Sequence, residues 1–421
     1  MNSPNFSQTW KLDLLLPMII LLALQAVCIA AEPANVSQAV EPAKVSQGVA
    51  EPAEAPRAVL PGLLDENPLK VGPVTVHPHL KVGFTYDDNV FIQQSARIGD
   101  FYASVDPGMQ FVYGELGGNR IALDYTADAQ EFFRLSNQDT VNHDVVLDGN
   151  FKLNQLSLNF RQEYQHLTEA VFAVGNRITG DYYRTSLGAE YELSPKTSFD
   201  VHYRQEIDNY ATAGLINNQT FEPGTAFYYH LTPKTDLLAE LNGGMVTVGQ
   251  GANGVYEQLN VGARFRMTDK LTGRATAGYQ HWDFDQGIAS IDVPAANIGV
   301  TAQLTKHCSL DVNISNIVSP SPNVVSDYYT ATRAYIRLNE RLWHDKITVY
   351  VGGGYERDEY QQPIAGQVRN DDHLEAQAGV DYYIQKWWNV GLTYRYQNQD
   401  STLPGIPFYD NQVSIFSMVR F

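Results

Sequence analysis

The chain has 421 residues, of which 44% are hydrophobic and 18% charged, and it contains 25 Tyr, 18 Phe and 32 Gly. Its 29 basic and 47 acidic residues give a formal net charge of −18, a field that repels phosphate groups and argues against nucleic-acid binding. Two cysteines, Cys28 and Cys308, are too few for a disulfide framework or a four-ligand zinc site, so neither a metal nor another cofactor is expected.

Residues 1–31 have the pattern of a secretory signal peptide. Lys11 precedes an apolar run over Leu14–Ile29, and two alanines follow at 30–31. A permanent membrane helix is the alternative, but Pro17 interrupts the run and its core is short. We therefore predict that residues 1–31 are removed and that the remainder is exported.

Residues 32–76 are predicted to form a Pro/Ala-rich periplasmic linker. Residues 32–59 contain a degenerate repeat in which Glu-Pro-Ala opens each unit: EPANVSQAV, EPAKVSQGVA and EPAEAPRAV. Such composition cannot bury enough apolar area to offset chain entropy, which predicts an extended, disordered segment. For residues 60–76 two interpretations remain, a peripheral segment and a plug.

A two-residue hydrophobic period begins at residue 77 and continues to residue 421. In the first strand, Leu80, Val82, Phe84 and Tyr86 alternate with more polar or smaller residues, and the same alternation recurs along the chain. A period of two predicts strands with one apolar face, and no long stretch keeps the helical period.

Tight turns divide this region into regular hairpins. Segments such as Leu193–Thr197 and Leu231–Thr235 contain Ser-Pro-Lys or Thr-Pro-Lys, and related breaks place turn centres near residues 117, 154, 195, 233, 269, 306, 344 and 386. Between them lie longer polar stretches, so eight tight turns and two termini predict 18 strands. The number falls to 16 if the glycine-rich hairpin over Leu237–Leu259 does not span.

One strand face is polar along the whole region, which requires water on that side. A soluble sandwich or propeller is the alternative, but strands of roughly ten residues with one lipid-like face fit a membrane barrel better. We predict an all-β fold, a transmembrane antiparallel up-and-down β-barrel over residues 77–421. Five aromatic pairs, among them Tyr182-Tyr183, Tyr328-Tyr329 and Trp387-Trp388, predict interfacial girdles. The pore-lining candidates are Arg161, Glu163, Arg184, Glu190, Arg204, Arg264, Arg333 and Arg395.

Two segments resemble known outer-membrane sequences. Tyr409–Phe421, with a terminal Phe421, resembles the C-terminal strand that the barrel assembly machinery recognises in Gram-negative bacteria. Tyr86–Phe91 (YDDNVF) and Asp100–Gly108 (DFYASVDPG) resemble the first hairpin of the putative β-barrel porin family of Gram-negative outer membranes. The resemblance implies a pore-forming barrel in the cell outer membrane and makes Phe421 the barrel-assembly signal.

Two classes of function follow. The first is a porin for passive diffusion of small polar solutes, since a barrel of 16 to 18 strands encloses an aqueous channel. The second is an outer-membrane component of an export system, such as polysaccharide secretion, with the linker reaching periplasmic partners. Outer-membrane lipids, lipopolysaccharide and further copies of the chain are the other candidate partners.

No catalytic site is expected. Polar groups such as Asn142-His-Asp144 and His281-Trp-Asp283 lie near loops, where strand alternation is expected to send the neighbouring side chains to opposite faces. Acids of the predicted loops, including Asp87, Asp283, Asp358 and Asp371, are interpreted as a hydrated rim, with divalent-cation binding as the alternative.

The segment His166–Asp181, at 16 residues, is predicted to be the longest external loop. It contains the apolar residues Ala170, Val171, Phe172, Ala173 and Val174, which are the constriction-loop candidates. Folding them into the barrel mouth shelters them from water, whereas packing against neighbouring loops or another protomer is the alternative. The charge of −18 predicts preference for cations unless luminal arginines cluster at the narrowest point.

Overall fold

The computed structural model describes residues 69–114, 118–265, 270–323, 327–364 and 366–421. The predicted signal peptide at 1–31 and the predicted linker up to residue 68 lie outside the described residues. Within the described part of the chain there are 19 strands and a short 3₁₀ helix at Ser136–Gln138. No helix in these ranges is long and apolar enough to cross a membrane.

The strands occupy most of the described sequence. They are β1 (Leu69–Val71), β2 (Val74–Asp87), β3 (Asp100–Gly114), β4 (Arg120–Phe132), β5 (Thr140–Leu153), β6 (Leu156–Val171), β7 (Asn176–Ser194), β8 (Thr197–Tyr210), β9 (Asn218–Thr232), β10 (Thr235–Val248), β11 (Gly254–Phe265), β12 (Leu271–Phe284), β13 (Ile291–Gln303), β14 (Cys308–Pro320), β15 (Tyr328–Leu342), β16 (Ile347–Ile364), β17 (Gln367–Gln385), β18 (Trp388–Ser401) and β19 (Phe408–Arg420). The barrel strands are longer than the ten residues expected.

Strands β2 to β19 close into one antiparallel barrel of 18 strands. Each pairs with its sequence neighbours, and β19 returns to β2 with Gln412 opposite Asp87 and Arg420 opposite His79. Closure pairs the edges that an open sheet leaves free, as spanning a bilayer requires. The predicted fold class and the count of 18 are confirmed, and the glycine-rich hairpin spans as β10 and β11.

The first barrel strand begins at Val74, three residues before the predicted start of the barrel at 77. Beside its first residues lies β1, where Leu69 pairs with Val76 and Val71 with Val74. Strand β1 occupies the edge of β2 beyond the end of β19, so it extends the wall at the barrel seam.

The eight tight turns lie at one end of the barrel, the short-turn end, as the sequence predicts. The nine other connections form the long-loop end, and they range from two residues between β16 and β17 to twelve between β2 and β3. The prediction of a 16-residue loop at His166–Asp181 is wrong. The ladder continues from His166 opposite Asp181 to Val171 opposite Asn176 and leaves a turn of four residues, 172–175.

Alternate strand positions face outward and inward. Leu187, Val201, Leu392 and Ile415 are 47–59% exposed, and Phe160 pairs with Leu187 on the same face, which confirms the predicted lipid face. On β10, Leu237 and Leu241 are exposed, whereas Asp236 and Glu240 are buried inside. The polar side chains therefore line the lumen.

The girdle prediction fails for several aromatic pairs. Tyr228 is buried inside while its neighbour Tyr229 is 41% exposed, because adjacent strand residues point to opposite faces. Tyr328 and Tyr329 are both buried at the long-loop end. Only the outward member of each alternating pair, such as Tyr382 or Trp387, is placed to meet the interface.

Candidate functional site

The eight predicted pore-lining residues all lie at inward positions of barrel strands. The direction of each candidate follows from exposed apolar residues on the same strand. Leu187 on β7 and Leu392 on β18 face outward, so residues an odd number of positions away, such as Arg184 and Arg395, face inward. These residues are therefore luminal in position. The charges also pair extensively with one another, and this pairing determines the electrostatics of the lumen.

Arg264 contacts two luminal carboxylates at once. Its Nη1 and Nη2 donate to the Glu190 carboxylate at 2.7 and 2.9 Å, and its Nε donates to Asp236 Oδ2 at 2.9 Å. The guanidinium carbon lies 3.8 Å from the centroid of the Tyr228 ring. Asp236 is fully buried, and Arg264 supplies it with a positive charge, while His230 Nδ1 lies 2.8 Å from its Oδ1.

The other arginines on this side of the barrel are paired in the same way. Arg184 Nη2 lies 2.6 Å from Asp208 Oδ1, and Arg204 Nη1 donates to Glu222 Oε1 at 2.6 Å. Glu222 also accepts a hydrogen bond from the Tyr256 hydroxyl. The positive charges of Arg184 and Arg204 are thus largely neutralised where they stand.

The remaining candidates lie elsewhere around the lumen. Arg161 Nη2 donates to Glu163 Oε2 at 2.8 Å, and Arg333 Nη2 donates to Glu356 Oε1 at 2.6 Å. Arg395 stands on β18 between two glutamines, opposite Gln377 on one side and Gln412 on the other. The structure therefore distributes the eight candidates around the barrel and brings two pairs of them together, Arg161 with Glu163 and Arg264 with Glu190.

A recess opens beside Arg204 and Glu222, and the aromatic residues Tyr256 and Trp282 form part of its lining. Trp282 is only 1% exposed, and its ring stacks at 4.4 Å on Tyr256 and at 5.7 Å on Phe284. The aromatic rings pack on one another and support the wall, and they do not offer an open stacking face to a solute.

The turn of residues 172–175, here called the mouth turn, projects into the long-loop end of the barrel. Phe172 is 7% and Ala173 1% exposed, although both belong to a connection between strands. Gly175 adopts φ 71°, a left-handed conformation that glycine tolerates, and its N–H donates to the Val171 carbonyl at 2.9 Å. Ala170 and Val171 belong to β6, so the predicted constriction residues divide between a strand and this turn.

The mouth turn is bound by polar groups of the opposite wall. Arg369 Nη2 on β17 donates to the Ala173 carbonyl at 2.9 Å, and Gln399 Nε2 on β18 donates to the Phe172 carbonyl at 3.3 Å. Asn323, in the β14–β15 loop, donates to the same Ala173 carbonyl at 3.4 Å. The Arg369 and Asn323 bonds satisfy the Ala173 carbonyl, and the Gln399 bond adds to the one that the Gly175 N–H donates to the Phe172 carbonyl at 3.1 Å.

Apolar contacts hold the same turn. The Phe172 ring stacks on His373 with centroids 4.4 Å apart, and it forms a buried cluster with Ile92 and Phe408. Ile92 comes from the β2–β3 loop and Phe408 from the start of β19. The mouth turn therefore touches elements on the far side of the barrel from β6 and β7.

The neighbouring loops are joined to each other as well. Ile216 N–H donates to the Pro322 carbonyl at 2.8 Å, and the Tyr328 hydroxyl donates to the Ala252 carbonyl at 2.8 Å. Burial raises the pKa of Asp327 in the β14–β15 loop, although backbone amides, including that of Gln362 at 2.9 Å, oppose the shift. The long-loop end is thus a connected layer of turns.

The acids predicted to form a hydrated rim are not all at the rim. Asp87, Asp358 and Asp371 are 6%, 2% and 2% exposed and face the lumen, because the strands extend past the predicted loop boundaries. Asp283 does lie on the exposed outer surface. Among the described residues there is no group of three or more His, Cys, Asp or Glu side chains that could hold a metal ion.

The expected separation of the His281-Trp-Asp283 side chains is wrong for its two polar members. Residues two apart on a strand share a face, and His281 Nε2 lies 3.5 Å from Asp283 Oδ2. His281 Nδ1 also lies 2.7 Å from Asp292 Oδ1 on the outer face.

Sequence reasoning missed several luminal residues that carry the ion-pair networks: Asp208, Glu222, Asp236 and Arg369. A signal for the first was present, since Arg204, Glu206 and Asp208 alternate at a spacing of two. At the short-turn end, the Phe421 ring stacks on Trp387 with centroids 5.6 Å apart. Its role as an assembly signal stays a prediction.

The family model described as "Putative beta-barrel porin 2" matches residues 67–421, the whole of the barrel. The chain belongs to this family. Its barrel is therefore a porin of the outer membrane, and the resemblance in its first hairpin is confirmed. The family and the fold are those of transport channels.

Solved barrels are similar over most of the chain. OpdL of Pseudomonas aeruginosa has 10% identity and a TM-score of 0.43, with 83% of this chain and 99% of that chain covered. OpdO of the same organism has 10% identity and a TM-score of 0.44, with 82% and 97% covered. A search of curated proteins finds no match.

Proposed function

We propose that the protein passes small polar solutes by passive diffusion, with the mouth turn as the narrowest part of their path. The single observation behind this proposal is the position of the mouth turn, which reaches from β6 and β7 to Arg369 and His373 on the opposite wall. A charged lumen below such a turn needs no further element to discriminate between solutes by size and charge.

The proposed function involves diffusion without a chemical step. Many titratable groups of the described lumen form ion pairs, such as Arg264 with Glu190 and Asp236. Paired charges of this kind line a path and fix its shape. They do not present a nucleophile with a base at its side.

The partners of the barrel follow from its location. Its apolar outer face is proposed to contact outer-membrane lipids, and the outward pairs at the long-loop end, such as His281 with Asp292, are proposed to lie among lipopolysaccharide headgroups. Phe421 is proposed to be recognised by the barrel assembly machinery. We also propose that copies of the barrel associate with one another through their outer faces.

Conductance of the purified protein in a planar bilayer tests the function. A porin should conduct without any other component, because its lumen alone is the path. An export component would need its periplasmic partners, so a folded barrel that never conducts would favour export over diffusion.

The place of the mouth turn is tested by deletion. Removing Ala170–Val174 should raise single-channel conductance, because it withdraws the mouth turn from the lumen. Deleting Gln286–Ser290 from the exposed β12–β13 loop is the matched control and should leave conductance unchanged. Unchanged conductance after the first deletion would place the constriction elsewhere.

A further inference from the structure

The two sides of the lumen differ in how their charges are compensated. On the side formed by β7 to β12, Arg184, Arg204 and Arg264 each lie within 2.6–2.7 Å of a carboxylate oxygen. Arg274 Nη2 likewise lies 2.7 Å from Glu240 Oε2. The arginines on this side therefore present little net positive charge to a passing ion.

The opposite side carries a group of four aspartates, here called the acidic wall: Asp87 on β2, Asp106 on β3, Asp128 on β4 and Asp410 on β19. Three of them are at least nine-tenths buried, with exposures of 6% for Asp87, 8% for Asp106 and 2% for Asp410. Asp87 and Asp410 begin the wall at the barrel mouth, and Asp106 and Asp128 continue it toward the middle of the barrel.

The aspartates of the acidic wall lie in two close pairs. Gln412 Nε2 donates to Asp87 Oδ2 at 3.2 Å and to Asp410 Oδ2 at 3.0 Å, so one amide serves both carboxylates. Asp106 and Asp128 interact electrostatically with each other, and Tyr102 interacts with both Asp87 and Asp128. The two pairs are thus neighbours in the lumen.

Nearby cations compensate only part of this charge. Lys81 Nζ lies 3.0 Å from Asp106 Oδ2. Arg177, which follows the mouth turn on β7, interacts electrostatically with Asp87 and Asp128, but it donates its hydrogen bond to the neutral Gln130 Oε1 at 3.3 Å and lies 5.2 Å from the Phe132 ring centroid. Four carboxylates therefore face two cations, of which one forms an ion pair with the wall.

A second observation concerns the hydrogen bonds of the acidic wall, which do not satisfy all of its carboxylate oxygens. Apart from contacts among the aspartates themselves, the buried Oδ1 atoms of Asp106, Asp128 and Asp410 have no hydrogen-bond partner among the described residues. A buried carboxylate oxygen without a partner is costly, and a cation in contact with it would remove that cost.

We propose that the acidic wall makes the pore select cations over anions, with an alkali-metal ion or an ammonium group as the chemistry that it attracts. The inference rests on the proposed function and identifies the charge class of the solute. Carboxylates concentrated in a narrow, partly desolvated passage favour cations electrostatically, and the arginines of β7 to β12 that could oppose them are already paired.

The test is the reversal potential of purified wild-type protein in a planar bilayer under a KCl gradient. The wild type should show a K⁺ to Cl⁻ permeability ratio well above one. The variant Asp106→Asn/Asp128→Asn/Asp410→Asn should lose most of that preference, a several-fold fall in the ratio. Repeating the measurement with methylammonium chloride shows whether ammonium groups pass or only inorganic cations.

The matched control is Asp283→Asn/Asp292→Asn/Asp372→Asn, which removes the same number of charges from exposed side chains on the outer face. It should leave the permeability ratio unchanged. Equal shifts in the two variants, no shift in the luminal variant or a wild-type preference for Cl⁻ would overturn the inference while leaving the porin function in place. Only a wild type without any conductance would contradict the proposed function itself.

The luminal variant must be shown to be folded. Asparagine has nearly the shape of aspartate, and replacing like charges that repel each other should not lower the unfolding temperature in detergent. If the variant did not fold, Asp410→Asn alone should still lower the permeability ratio, and an unchanged ratio in that single variant would count against the acidic wall.

Discussion

Arg369 on β17 donates a 2.9 Å hydrogen bond to the backbone carbonyl of Ala173, which stands 196 residues away in the turn between β6 and β7. Around the barrel, nine strands separate β7 from β17 in one direction and seven in the other. The bond therefore crosses the lumen almost along a diameter. It ties the mouth turn to the opposite wall, and several consequences can be measured.

Phe172→Ala should widen the mouth without altering the barrel wall. The change removes the stack on His373 and the contacts with Ile92 and Phe408, and loss of a buried phenylalanine costs about 3–5 kcal/mol. The bound position of the mouth turn should lose stability relative to a withdrawn one, so single-channel conductance should rise. Phe133→Ala, at a side chain that is 65% exposed, is the control and should conduct like the wild type.

Arg264→Ala should destabilise the barrel strongly. It removes the guanidinium that contacts both the Asp236 and the Glu190 carboxylate, and removing one partner of a buried pair costs about 3–5 kcal/mol. Arg357→Ala breaks exposed pairs with Glu359 and Asp372 and should cost at most about 1 kcal/mol. Urea unfolding in lipid vesicles compares the two free energies of unfolding, and equal losses would contradict the assigned role of Arg264.

The direction of each side chain can be tested at neighbouring positions of the wall. Leu187 is 47% exposed on the lipid face, so Leu187→Arg should cost roughly 2–4 kcal/mol if the residue lies near the bilayer midplane. Asn159 lies opposite Gly188 on the luminal face, and Asn159→Arg should change conductance with little effect on folding. The measurement is folding yield and unfolding free energy in lipid, and the same loss for both variants would refute the two faces.

The orientation of the barrel is open to a protease test. Outer-membrane barrels keep their short turns in the periplasm, so the long-loop end should face outward. A protease recognition sequence placed in the exposed β12–β13 connection, residues 285–290, should be cut on intact cells. The same sequence in the turn between Thr232 and Thr235 should be cut only after the outer membrane is opened, and the reverse pattern would invert the topology.

Much of the wall could be predicted from residue order. A strand alternates its side chains whatever its neighbours are, so Leu187 and Leu392 could be assigned outward and Arg204 inward from the period alone. Tight-turn sequences such as that at Pro233 occur at a fixed spacing, which determined the number of hairpins and hence the count of 18 strands.

Strand ends were harder to predict, and with them the length of each loop. The apolar alternation stops where the lipid stops, but the backbone ladder continues past that point because its hydrogen bonds do not depend on what the side chains face. His166 and Asp181 therefore pair within a ladder where a loop was expected, and Asp358 and Asp371 lie buried in the lumen instead of at the rim.

The sequence by itself determined the barrel, its period and the inward or outward direction of each strand position, because these depend on local alternation and turn chemistry. Only the tertiary structure decided which charges meet. Arg264 and Glu190 are 74 residues apart, and Arg369 and Ala173 are 196 apart. Barrel closure and strand stagger bring such residues together. For this reason only the three-dimensional structure revealed the ion-paired side of the lumen, the acidic wall and the mouth turn.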